Sequence, residues 1–197
     1  QTGKPLAANP IVRTSWADKW DLKTGLPHLT PEGSDYANGA KVVFPATPGA
    51  RNWYPAAYDP QRKTYFAHVL DMGNLLFLAG PPQLKRDPKF VNAGAAVIFS
   101  PDLQAAAPGL PPPIRDAMET TAQWQWVKDK PFASELRAID PMTGKTKWSV
   151  PAAGWQDRFG TLATGSGLMF HGTVTGQLFA RDSDTGKALV HVDKIGR

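Results

Sequence analysis

The feature that most constrains this chain is a turn motif that occurs twice in its last third. The pattern Ala-x-Asp-x-x-Thr-Gly-Lys stands at residues 138–145 and again, 42 residues later, at residues 180–187. The aspartate can accept hydrogen bonds from amides of the turn, and the glycine can adopt a positive φ. Apolar residues alternate on both sides of each turn, as they do in half-buried strands. Each copy therefore predicts two antiparallel strands joined by a tight turn.

Two further strands are predicted between these copies. Residues 159–164 and 168–173 form them, with a glycine-rich turn at 165–167 between the two. Another turn at 174–176 then leads into the second copy. Four short strands in about 42 residues, followed by a restart, are the period of one β-propeller blade. The pattern predicts an all-β fold, with the clearest blade repeats in residues 131–197.

Weaker copies of the pattern occur upstream. Residues 1–4 look like the second half of such a turn, residues 21–25 repeat its Asp-x-x-Thr-Gly spacing, and residues 58–66 indicate a strand, a turn and a strand. Residues 71–130 contain many prolines and follow no such pattern. We expect them to form a long irregular insertion, with one strand at 93–99 and a short helix near 114–121.

The number of repeats predicts part of a propeller. Closed propellers have about four to eight blades, and this chain supplies about three to four at most. We therefore expect residues 1–197 to form one partial propeller, an arc of blades. The exposed strand edges of an isolated arc would favour aggregation, so we expect the remaining blades to pack against it on a complementary polypeptide.

Composition and charge exclude several classes of protein. The chain is 42% apolar with seven tryptophans, which is too hydrophobic for a disordered chain. It has no apolar run of the roughly 20 residues that span a bilayer, and the sequence as it stands shows no secretory leader. The 22 basic residues are scattered, which argues against a nucleic-acid partner. With no cysteine, the chain forms neither disulfides nor thiolate metal sites.

No catalytic or metal-binding motif stands out among the polar residues. The four histidines, His28, His68, His171 and His191, lack metal-ligand spacing. Ser166 lies between two glycines in a predicted hairpin turn, not at the strand-to-helix elbow of a serine hydrolase. We therefore expect neither a metal site nor a serine-hydrolase site from these residues.

Three segments together resemble the pyrroloquinoline-quinone (PQQ) dependent alcohol dehydrogenases, quinoproteins built on an eight-bladed β-propeller. The repeated turn is similar to that family's tryptophan docking motif, with Trp148 in the first copy and Val190 in the second. Residues 52–60 are similar to its Asn-Trp-x-Pro-x-x-Tyr-x-Pro segment, and residues 162–173 to its Leu-Ala-Thr-x-Gly-x-Leu-Val-Phe-x-Gly-Thr segment. The resemblance covers nearly the whole chain and aligns it with part of the C-terminal half of such an enzyme.

The resemblance implies that Asn52 and Trp53 lie at the propeller axis and bind PQQ. The amide of Asn52 would meet the polar edge of the cofactor, and Trp53 would form an apolar wall beside it. Two alternatives stay open, since Asn52 can be a turn asparagine bonded to its own backbone and Trp53 can pack in the core. Trp148 is expected to pack between blades.

The resemblance also singles out Arg158, where many relatives have a tryptophan. A guanidinium pairs well with carboxylates, so Arg158 is a third candidate for binding PQQ, through its carboxylates, or for binding the substrate. The alternative is a salt bridge between Arg158 and Asp157 on the top surface of the blade.

The implied activity is oxidation of an alcohol or a sugar hydroxyl in the periplasm. PQQ and a Ca²⁺ or lanthanide ion would be the cofactors, and a cytochrome or a quinone would accept the electrons. In the family the catalytic Asp and the metal ligands lie before the point that matches Gln1, outside this chain. A second copy of the complete enzyme is a further expected partner. The alternative is a non-catalytic propeller scaffold for protein binding or outer-membrane assembly.

Overall fold

The computed structural model describes residues 2–34, 39–78, 95–98, 100–130, 132–152, 154, 157 and 159–194. This part of the chain forms thirteen strands: β1 (Ala17–Asp21), β2 (Leu26–Leu29), β3 (Lys41–Val43), β4 (Ala57–Asp59), β5 (Thr64–Met72), β6 (Asn74–Leu78), β7 (Ala95–Ile98), β8 (Phe132–Ile139), β9 (Thr146–Pro151), β10 (Thr161–Ala163), β11 (Leu168–Gly172), β12 (Leu178–Asp182) and β13 (Ala188–Val192). It also forms four short α-helices, α1 (Pro31–Ser34), α2 (Leu103–Ala106), α3 (Pro112–Glu119) and α4 (Ala122–Asp129), and one 3-10 helix at Ala107–Gly109. None of these helices is long and apolar enough to cross a membrane.

The strands of the described residues build four antiparallel sheets. Two of them have the four strands of a complete blade: the first blade, in the order β4-β5-β8-β9, and the second blade, in the order β10-β11-β12-β13. The other two are a ribbon of β1 and β2 and a sheet in the order β3-β6-β7. The predicted arc of propeller blades is confirmed.

The two turn motifs form as their residues predict. Asp182 accepts a hydrogen bond from the Thr185 amide at 2.8 Å, and Gly186 has a φ of 73°. Asp140 plays the same part in the first blade, where Gly144 has a φ of 72°. Hydrogen bonds from the Thr185 hydroxyl and amide lower the pKa of Asp182. Those from the amides of Met142 and Thr143 lower the pKa of Asp140.

Trp148 joins the two blades, as predicted. Its Nε1 donates to the backbone oxygen of Ser183 at 3.0 Å, in the turn of the second blade. Its ring covers Gly186 so closely that a Cβ atom there would lie 2.6 Å from the ring. Val190 holds the equivalent position on β13, and its side chain is 55% exposed.

Apolar side chains fill the space between the two blades. Phe66 and Leu136 of the first blade lie in one buried cluster with Phe159 and Met169 of the second. The blades therefore share one core, and Trp148 packs against its edge.

Within the predicted insertion of about 71–130, the described residues contain several regular elements. They include the end of β5, then β6, β7 and α2–α4, and the predicted strand and helix appear as β7 and α3. Prolines 112 and 113 begin α3, where the missing amide hydrogen is not needed. Together with β3 these elements enclose their own buried cluster, with Val42, Phe44, Leu75, Met118 and Val127 among its members. We call β3, β6, β7 and α2–α4 the insertion module.

Candidate functional site

The loop that carries Asn52 and Trp53 leads into β4 and is fixed to the first blade. We call residues 46–54 the Asn52 loop. Three hydrogen bonds tie it to β5 and to the start of β6: Ala46 N to Met72 O at 2.6 Å, Thr47 N to Asn74 Oδ1 at 2.8 Å, and Leu70 N to Ala50 O at 2.8 Å. The position of this loop therefore depends on the place where the chain leaves the first blade for the insertion module.

Asn52 is exposed and makes local hydrogen bonds of the turn-asparagine kind. Its Nδ2 donates to the Pro48 carbonyl at 2.9 Å, and its Oδ1 accepts from the Trp53 amide at 2.8 Å. Among the described residues these bonds use one of its two N–H groups and one of its two acceptor positions. The amide has capacity left for a ligand, and its role toward PQQ stays a prediction.

Trp53 does not pack in the core. Its side chain is 80% exposed, and its ring packs against the Tyr54 ring with a distance of 5.0 Å between the ring centroids. Tyr54 is itself buried and holds this pair in place. An exposed indole beside a fixed ring is suited to cover one face of a flat ligand.

The third candidate, Arg158, lies outside the described residues, and its role stays a prediction. The neighbouring Asp157 is buried, and its Oδ1 accepts from the Val174 amide at 2.9 Å. This bond ties the segment before β10 to the turn between β11 and β12. The described ranges hold no group of three or more His, Asp or Glu side chains that could bind a metal ion.

A row of aromatic and imidazole rings runs from the Asn52 loop across the second blade, and sequence reasoning missed it. Successive centroids lie between 4.4 and 6.1 Å apart, in the order Tyr54, His68, Phe159, His171, Phe179 and His191. The last three are cross-strand partners on β11, β12 and β13. Each of these strands carries at least one ring residue in the sequence, but only the register shows which of them stack.

His171 is the buried centre of this row. Its Nε2 accepts from Arg181 Nε at 2.8 Å, and the guanidinium also donates to the Gly186 carbonyl at 3.0 Å. Burial and the charge of Arg181 lower the pKa of His171 to about 4. The imidazole is therefore neutral at pH 7, and through Arg181 it is linked to the turn that contains Gly186.

Comparisons with known proteins agree with this geometry. Residues 16–194 match the family model described as glucose, ethanol and alcohol dehydrogenase, β-propeller domain, of the PQQ type. The chain is similar to the quinohemoprotein alcohol dehydrogenase ADH-IIG of Pseudomonas putida, with 30% identity over 194 residues, 95% of this chain and 24% of that protein. The solved structure of ADH-IIG superposes with a TM-score of 0.74 at 28% identity and covers 98% of this chain and 26% of that one.

A second relative is subunit 1 of the cytochrome c methanol dehydrogenase of Paracoccus denitrificans, with 28% identity over 89% of this chain and 24% of that subunit. The chain thus spans about a quarter of the length of the relatives it matches. Since the family model covers almost all of the sequence, the chain belongs to the family of PQQ-type glucose, ethanol and alcohol dehydrogenase β-propeller domains.

Proposed function

We propose that this chain forms part of the cofactor wall of a PQQ-dependent dehydrogenase that oxidises an alcohol or a sugar hydroxyl. The observation that carries the proposal is the exposed pair of Asn52 and Trp53, on a loop fixed to a complete blade of this family's propeller domain. Both relatives described above are named as alcohol or methanol dehydrogenases. They support an enzyme over a non-catalytic scaffold.

The described residues fit one edge of a flat, polar cofactor. Trp53 offers an exposed ring surface, and Asn52 keeps one N–H and one lone pair for carbonyl or carboxylate groups. Bound PQQ would supply the acceptor for the two electrons that leave the alcohol. The part of this chain is to hold the cofactor by its edge and to keep water from the face that Trp53 covers.

The remaining parts of the active site belong to the proposal. The catalytic Asp and the ligands of a Ca²⁺ or lanthanide ion would come from residues outside this chain, on the complementary part of the propeller. Electrons would pass to a cytochrome or a quinone in the periplasm, and the methanol dehydrogenase relative carries cytochrome c in its name. Arg158 would add a positive charge next to the carboxylates of PQQ.

Reconstitution of the complete protein tests this function. The protein is purified without cofactor, and alcohol-dependent reduction of an artificial dye is measured with ethanol and with glucose. PQQ together with Ca²⁺ or La³⁺ is expected to restore activity, whereas PQQ alone or metal alone is not. No activity and no PQQ binding under any of these conditions would contradict the proposal and favour the scaffold.

A further inference from the structure

One side chain, Arg13, contacts both places where the insertion module joins the first blade. Its Nε donates to Asp71 Oδ1 at 2.9 Å, and its backbone amide reaches the same oxygen at 3.3 Å. Asp71 is buried near the end of β5, where the chain leaves the blade. The ion pair therefore fixes the first connection to the module.

The same guanidinium also holds the second connection. Its Nη1 donates to the carbonyls of Trp126 and Lys130, each at 2.6 Å, where α4 ends and the chain returns toward β8. The Trp126 carbonyl also accepts a hydrogen bond from the Lys130 amide at the end of α4, and a cation is well placed at a helix C-terminus because of the helix dipole. The guanidinium also lies 4.4 Å from the ring centroid of Phe44, a core residue of the module.

The Asn52 loop depends on the connection that Arg13 holds. Met72 directly follows Asp71 and accepts the hydrogen bond from Ala46. Asn74, two residues further on, accepts the one from Thr47. A displacement of the end of β5 would therefore move the Asn52 loop, and with it Asn52 and Trp53.

We propose that Arg13 is a positioning residue that locks the insertion module onto the first blade and so sets the place of the Asn52 loop. The inference rests on the proposed function only in the role of that loop toward PQQ. The planar guanidinium is needed because it donates to four groups at the two connections: the carboxylate and the carbonyl of Asp71, and the carbonyls of Trp126 and Lys130. A lysine at this position would keep the charge near Asp71 but would offer a single nitrogen.

Arg137 provides a matched control. It is also a partly buried arginine that contacts the same N-terminal segment, with Nη1 donating to the Ile11 carbonyl at 2.6 Å. Its ion pair with Glu135 lies within β8, and Glu135 also lies 3.9 Å from Lys130 Nζ, so among the described residues Arg137 reaches the second connection only through Glu135. R137K therefore changes the same chemistry without removing a hydrogen bond to the insertion module.

The test compares R13K and R137K in the complete protein by hydrogen exchange and by PQQ titration of the cofactor-free form. R13K is expected to speed exchange of the α4 amides about tenfold and to weaken PQQ binding several-fold, with exchange in β12 and β13 unchanged. R137K is expected to leave the α4 amides and PQQ binding within about twofold of wild type. If R13K fails to fold, D71N takes its place, because it removes the charge of Asp71 and keeps the shape. D71N is expected to speed α4 exchange and to weaken PQQ binding, as predicted for R13K.

Three results would overturn the inference. The first is unchanged α4 exchange in both R13K and D71N. The second is an equal increase of the exchange rates in α4 and in β12–β13. The third is faster α4 exchange with unchanged PQQ binding. If wild type does not bind PQQ, the proposed function fails, while the exchange data alone still decide whether Arg13 locks the module.

Discussion

Replacing Gly186 with alanine tests how the two blades are joined. Gly186 has a φ of 73°, and a Cβ atom there would lie 2.6 Å from the ring of Trp148. The left-handed backbone costs alanine about 1 kcal/mol. Forcing the methyl group against a packed ring adds about 1–3 kcal/mol. We therefore expect G186A to destabilise the second blade by about 2–4 kcal/mol.

Two further variants separate these costs. In a W148A background the ring is gone, so adding G186A should cost only about 1 kcal/mol. Gly25 has the same φ of 73° in the turn between β1 and β2, and a Cβ atom there would meet no described atom within 4 Å beyond its chain neighbours. G25A should therefore cost its own ribbon only about 1 kcal/mol.

Native-state hydrogen exchange of β12 and β13 measures these differences locally. A cost of 2–4 kcal/mol corresponds to exchange about 30- to 1,000-fold faster in G186A, against about fivefold for the same change in the W148A background. Exchange in β2 reports on G25A. Equal costs of G186A with and without Trp148 would refute the contact between the ring and the turn.

Four further variants, H171Q, N52A, W53A and R158K, each test a single residue. Because the pKa of His171 is about 4 in the folded state against 6.5 for an ordinary imidazole, the unfolded chain binds more protons between these values. The contribution of His171 to the free energy of unfolding should be fully present above pH 6.5 and should decrease as the pH falls toward 4. Thermal unfolding of H171Q should not show this decrease. In the complete protein, N52A should weaken PQQ binding by about 1–3 kcal/mol. W53A should also weaken PQQ binding, while its free energy of unfolding changes by less than about 0.5 kcal/mol. An unchanged affinity in a PQQ titration would remove the substituted residue from the site. R158K should lower activity or PQQ affinity if the guanidinium meets carboxylates, and wild-type activity and PQQ affinity in R158K would remove Arg158 from the cofactor site.

Local chemistry explains what could be predicted from the sequence. The turn at residues 182–186 forms because an aspartate, a threonine and a glycine stand at fixed short spacings, and each acts on its own neighbours. The position of Trp148 in the repeat likewise predicted its contact with the next blade. The candidate pair of Asn52 and Trp53 came from the resemblance, and the structure adds that both are exposed.

Long-range contacts explain what could not be predicted. Arg13 reaches Asp71 and Trp126, which are 58 and 113 residues away along the chain. No local spacing indicates such a contact. The prolines of the insertion predicted irregular structure. A proline can begin a helix or interrupt one, and the sequence alone does not decide which.

A structure of the complete protein with PQQ bound tests most directly whether this chain supplies the Asn52–Trp53 edge of the cofactor site. We expect the cofactor to lie within about 4 Å of both side chains, with the amide of Asn52 at a polar group and the indole of Trp53 against the ring. PQQ bound in the same protein without contact to either residue would contradict this expectation.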